Sequence, residues 1–138
     1  MERDEIFWFD HEKLDVYQEA IEFVAWVSVL LETTARLGEV KDQLERASTS
    51  VPLNIAEGNG KYSLKDRCRF FDTAHGSALE CAACLDVLVA KRKFTLDDVR
   101  PGKERLQHIV RMLSGLIKRN SSREYEKKSS TSESESQS

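Results

Sequence analysis

Residues 13–36 read KLDVYQEAIEFVAWVSVLLETTAR, and this stretch decides the fold. One seam runs Leu14, Tyr17, Ile21, Val24, Ser28, Leu31 at the i, i+3, i+4 spacing of a packed helix face. A second line, Val16, Ala20, Phe23, Val27, Leu30, lies beside it, and Trp26 and Val29 widen the apolar surface further. A helix apolar around most of its girth is buried on more than one side. A small four-helix bundle hides one stripe per helix, so the excess predicts an interface between copies of the chain. The longest mostly apolar run here, Ile21–Leu31, spans 11 residues, whereas a bilayer crossing takes about 20. No membrane partner is expected.

Working outward, three more helical segments follow. Gly38 ends the first and leaves a short connection, which makes the next helix an antiparallel neighbour. In the second, about Glu39 to Glu57, Val40, Leu44, Ala47, Val51 and Ile55 share one arc. Beside it runs a polar stripe of Gln43, Arg46, Ser50, Asn54 and Glu57. Pro52 sits inside the pattern, where it removes a donor and crowds the carbonyl of Ser48; a kink is expected, with the Ser48 and Ser50 hydroxyls placed to re-satisfy the freed groups. Gly58-Asn59-Gly60 stops the helix. The third, Leu64 to about Ala90, opens on a Ser63 cap and carries Phe71, Ala74, Ala78, Ala82, Leu85 and Val89, again with a polar stripe that includes Ser77 and Glu80. The fourth starts either at Leu96, after Thr95, or afresh near Pro101, and its seam is Leu106, Ile109, Val110, Leu113, Leu116, Ile117. No stretch alternates with period two for the length of a strand.

The whole chain of 138 residues is 40% hydrophobic and 33% charged, with six Gly and two Pro, which fits a few long helices rather than many short strands. The fold expected is an all-α, antiparallel up-down four-helix bundle over 13–120, homo-oligomeric. An acidic extension precedes it (1–12, five acids against one base) and a Ser/Glu-rich tail follows it (121–138), read from composition as disordered. Three Cys and no signal-like N-terminal segment point to reduced thiols in a cytoplasm.

Little in the sequence suggests a reaction. Cys81 and Cys84 have zinc-knuckle spacing, with Cys68 and His75 on the same helix, but no second pair completes four ligands, and core residues are the reading. Gly58 to Ser63 resembles a phosphate loop only superficially, because a helix precedes it and Tyr62 follows the Lys. Glu57 and Glu80 could pair as catalytic carboxylates; ion pairs and hydrogen bonds in a structural network explain them more simply. No catalytic residue, metal or cofactor is expected.

The functional leaning is basic. Lys91–Arg119 carries nine bases and three acids, a net of +6. Arg100, Lys103, Gln107, Arg111 and Lys118 fall along one side of the fourth helix, Lys91, Arg92 and Lys93 precede it, and Lys61, Lys65, Arg67 and Arg69 form a second cluster at the start of the third. A solvated face accounts for such a run. So does a phosphate-binding surface, because cations in register displace condensed counterions. Overall the chain is acidic, with 21 bases against 24 acids.

Leu14-Asp15-Val16-Tyr17, Gln43-Leu44-Glu45-Arg46-Ala47-Ser48, Ser50-Val51-Pro52-Leu53-Asn54-Ile55-Ala56-Glu57-Gly58 and Gly76-Ser77-Ala78-Leu79-Glu80 together resemble the proteins encoded in intervening sequences of bacterial 23S rRNA genes. That resemblance covers about Lys13 to Asn120. It implies an up-down four-helix bundle, a homopentamer and no enzymatic activity, with Gln43, Arg46, Ser50, Asn54, Glu57, Gly58, Ser77 and Glu80 as a structural network. It is also similar to the accessory variability protein of diversity-generating retroelements, which implies structured RNA or a reverse transcriptase as partner. The expected function is a non-catalytic scaffold for RNA, or alternatively a protein-interaction accessory subunit.

Overall fold

The computed structural model describes the backbone of residues 6–136 and the side chains of residues 6–121. A 3-10 turn, Asp10–Lys13, leads into α1 (Asp15–Glu32), followed by α2 (Glu39–Asn59), α3 (Leu64–Ala90) and α4 (Leu96–Ser136). Among the described residues there is no strand. Helices α1 and α3 each touch α2 and α4 but not each other, so the four close around one core with α1 and α3 on the diagonal.

Cross-helix contacts set the register. Ser50 meets Ser77 at 2.8 Å, and Arg67 Nη1 donates to the Asn59 carbonyl at 3.1 Å. Between α3 and α4, Asp86 pairs with Lys103, His75 with Ser114 (3.2 Å), and the Cys68 thiol with the Ile117 carbonyl (3.6 Å). Between α1 and α4, Glu19 pairs with Arg105 at 2.8 Å, and Trp26 covers Gly102. In every set, moving forward on one helix means moving backward on its neighbour.

Of the two apolar lines on α1, the second is the core: Val16, Ala20, Phe23 and Val27 are buried, joined by Leu31. Ile21 and Ser28, on the first line, are exposed. Both lines have helical period, and only the positions of α2 and α4 select between them. Phe23 is completely buried, and Trp26, half-buried, packs against the core beside it. The apolar excess left uncovered on α1 is Ile21, Ala25 and Val29.

The α2 arc is buried as the pattern predicts, from Val40 through Leu44, Ala47 and Val51 to Ile55. The helix passes through Pro52 and ends at Asn59. The serine hydroxyls do not serve the freed carbonyl: Ser48 Oγ donates to Glu45 O (3.0 Å) and Ser50 Oγ pairs with Ser77. Gly58 is a packing glycine, since a Cβ there would lie 2.8 Å from the Phe71 ring. Gly38 does not end α1, which stops at Glu32 with Thr33 bonded back to Leu30 O; it precedes α2 with φ +73°, in the left-handed region that glycine enters without strain.

Ser63 caps α3 by accepting from Asp66 N at 3.0 Å. The start of α4 is Leu96, held by a reciprocal box in which Thr95 Oγ1 accepts from Asp98 N (3.1 Å) and Asp98 accepts from Thr95 N (2.8 Å). Pro101 lies inside the helix rather than starting it. By length and composition alone α3 is a helix long and apolar enough to cross a bilayer; its buried face packs into the bundle core.

Residues 6–12 fold onto the bundle: Glu12 accepts from the amides of Trp8 and Phe9, and Asn59 donates to Asp10 at 3.0 Å. The rest of the acidic extension, 1–5, lies outside the described residues. At the other end the α4 backbone runs as helix through the Ser/Glu-rich segment to Ser136. That segment contains no Gly or Pro to interrupt the ladder begun upstream; residues 137–138 lie outside the description.

Candidate nucleic-acid interface

The register divides the basic residues between the two ends of the bundle. Lys91, Arg92 and Lys93 lie in the α3–α4 connection. Lys61, Lys65 and Arg69 lie at the opposite end of α3, about 40 Å away for 27 helical residues. Cys68 contacts Ile117 and Ser121, so Lys118 and Arg119 share the end of Lys61, Lys65 and Arg69. The +6 segment is therefore no single patch.

Individual environments differ. Lys65, Arg69, Arg111 and Lys118 are exposed. Lys61 is half-buried, 3.6 Å from Glu57 and 5.1 Å over the Phe70 ring, which Arg69 also covers at 5.3 Å. Arg100 is tied to Asp97 at 3.0 Å and Lys103 to Asp86, which partly neutralises the upper stripe of α4. Lower down, Arg111 and Arg119 line a hollow with Lys13 between α4 and the start of α1. Arg67, a member of the cluster at the start of α3, is half-buried and braces the α2–α3 corner: its Nη1 donates to Asn59 O and Lys61 O at 3.1 and 3.3 Å.

The polar stripes assemble only in part. Ser50, Asn54 and Ser77 form a triangle, with Asn54 Nδ2 donating to both the hydroxyl and the carbonyl of Ser50 at 2.9 Å. Gln43, Arg46, Glu57 and Glu80 are exposed. From the Ser50–Ser77 contact, Glu57 lies seven residues toward one end and Glu80 three toward the other, an axial gap of about 15 Å. The two carboxylates do not converge.

Cys81 and Cys84 lie in the core. Burial pushes the Cys81 thiol up to about 12, with the neighbouring Cys84 and Glu80 adding to it, and Cys84 is raised by burial and Glu80. A buried thiol held protonated is a poor nucleophile at neutral pH. Among the described residues no group of three or more His, Cys, Asp or Glu is placed to hold a metal ion.

These observations define a class: a four-helix, all-α bundle with buried core cysteines and cations gathered at its ends. More particularly, the chain belongs to the 23S rRNA-intervening sequence protein family, whose model matches residues 12–115. Its fold is similar to the crystal structure of a protein with unknown function from the S23 ribosomal protein family of Bacteroides thetaiotaomicron. The TM-score is 0.70 at 22% identity, covering 75% of this chain and 98% of that one. None of the curated proteins matches the chain.

Proposed function

We propose that this protein is a non-catalytic, cytoplasmic scaffold of antiparallel up-down bundles, assembled as a homo-oligomer, that binds structured RNA through one basic end. The observation that carries the reading is the convergence of Lys61, Lys65 and Arg69 from the start of α3 with Lys118 and Arg119 of α4, beside the Lys13–Arg111–Arg119 hollow. The opposite sequence order of the helix contacts supports the up-down arrangement. The family's association with 23S rRNA supplies the RNA context. The separation of Glu57 from Glu80 and the protonated core thiols favour a binding role over catalysis.

Binding to structured 23S rRNA fragments tests it. With about four phosphates neutralised, affinity falls roughly 100-fold between 50 and 200 mM salt. Arg111→Glu leaves the melting curve in place and weakens binding. A flat salt response, or equal binding by the variant, overturns the reading.

The exposed α1 strip and the exposed side chains Ile6, Trp8 and Phe9 favour a second reading, an accessory subunit that docks a protein such as a reverse transcriptase. Co-purification with that enzyme in the absence of RNA supports it over the first.

A further inference from the structure

We propose that the α2–α3 corner is a stacking site for an unpaired nucleotide, with Tyr62 as the platform and Lys65 and Arg69 as its phosphate contacts. The inference rests on the RNA-binding reading and assigns it a ligand class and a residue. Tyr62 is fully exposed, so both ring faces are open. Such a ring costs free energy in water unless something covers it.

The corner that presents it is held on both sides. Gly60 N donates to the carbonyls of Ala56 and Glu57, and Lys61 N to that of Gly58, all at 3.2 Å. Arg67 clamps the Asn59 and Lys61 carbonyls, and Ser63 is fixed by its bonds to Asp66 N and Arg67 N. The backbone around Tyr62 is thus ordered before any ligand arrives, which lowers the entropy cost of binding. The neighbouring cations are also placed in advance, because Lys61 and Arg69 both rest over the Phe70 ring. Lys65 and Arg69 are one helical turn apart in the first turns of α3, which begins at Leu64, two positions after Tyr62.

An exposed aromatic face flanked by cations suits single-stranded nucleic acid, whose bases offer their π-faces while the backbone meets the charges. Base-paired RNA hides those faces inside its stack. A membrane surface is a poorer fit, since Tyr62 stands among Gly60, Lys61 and Ser63 with no aliphatic side chain beside it to insert.

The test uses the full chain, an eight-nucleotide unpaired RNA and a duplex of the same length, in low salt. Tyr62→Ala weakens binding to the unpaired RNA about 5- to 100-fold, leaves duplex binding within two-fold, and leaves the fold intact because the side chain packs on nothing. Tyr62→Phe binds as the parent does, since stacking needs the ring and not the hydroxyl. Equal binding of the unpaired RNA by Tyr62→Ala overturns the stacking site, and so does an equal loss for both RNAs. If Lys65→Glu then still weakens binding, the RNA-scaffold reading survives without it. A parent chain that binds neither RNA removes both. Binding to anionic vesicles that Tyr62→Ala abolishes, with RNA affinity unchanged, assigns the corner to a membrane surface and overturns the proposal.

Discussion

At the scale of single residues, Gly58 and the last member of the polar stripe on α2 have unlike roles. Gly58 sits against Phe71, and Gly58→Ala forces its new methyl into the ring, which is expected to cost about 1–3 kcal/mol in urea unfolding. Glu57, one residue earlier, is exposed and its pair with Lys61 is solvent-screened. Glu57→Ala is expected to change stability by less than about 0.5 kcal/mol in the same measurement. The family resemblance groups both in one network; the helical spacing that sets Glu57 in a polar stripe records angle and not distance to the neighbouring helix. Cys81 carries a pH dependence of its own. An ordinary thiol titrates at 9.0, whereas buried Cys81 keeps its proton to about 12. Between those values the unfolded chain loses a proton that the folded chain retains, so stability is intact below this window and declines as the pH rises through it. Denaturant midpoints at pH 8 and pH 10.5 should show the decline, reduced in Cys81→Ala.

At the scale of the helices, much was legible and the exceptions share a cause. The Ser63 cap and the limits of α3 follow from local chemistry, as does the arc of α2. For α4, two start signals compete in the sequence, and the Thr95–Asp98 box prevails because it satisfies two amides while Pro101 removes one. Thr95→Ala should lower the thermal midpoint by the equivalent of about 1 kcal/mol; an unchanged midpoint would show that packing of Val99 alone sets the helix start. Helix α1 is the case that periodicity could not resolve. Its two apolar lines are equally helical, and the choice between them is made by residues far away in the chain.

At the scale of the whole molecule, the basic segment shows most clearly what a linear reading loses. Lys91 and Lys118 are counted together along the chain, yet a helix carries charge along its length, and the two finish at opposite ends of the bundle. Lys61 and Lys118, far apart in sequence, finish at the same end. The uncovered face of α1 bears on assembly. Ile21, Ala25 and Val29 form an exposed apolar i, i+4, i+8 line, which Ile6 and Phe7 border at its Ile21 end. In light scattering, an assembly of about five times the 15.8 kDa chain mass is expected, and Val29→Asp should reduce the mass without unfolding the chain. A parent that remains a monomer at micromolar concentration contradicts the oligomeric scaffold.

The covering of Gly102 by Trp26 has a consequence during synthesis. The first helix emerges from the ribosome with a large indole whose resting place has not yet been translated. At roughly 5–20 residues per second, the stretch from position 26 to position 102 takes about 4–15 s to make. Throughout that interval the nascent chain exposes one of its stickiest side chains, and the earliest helix stays the most vulnerable part of the protein until the last one arrives.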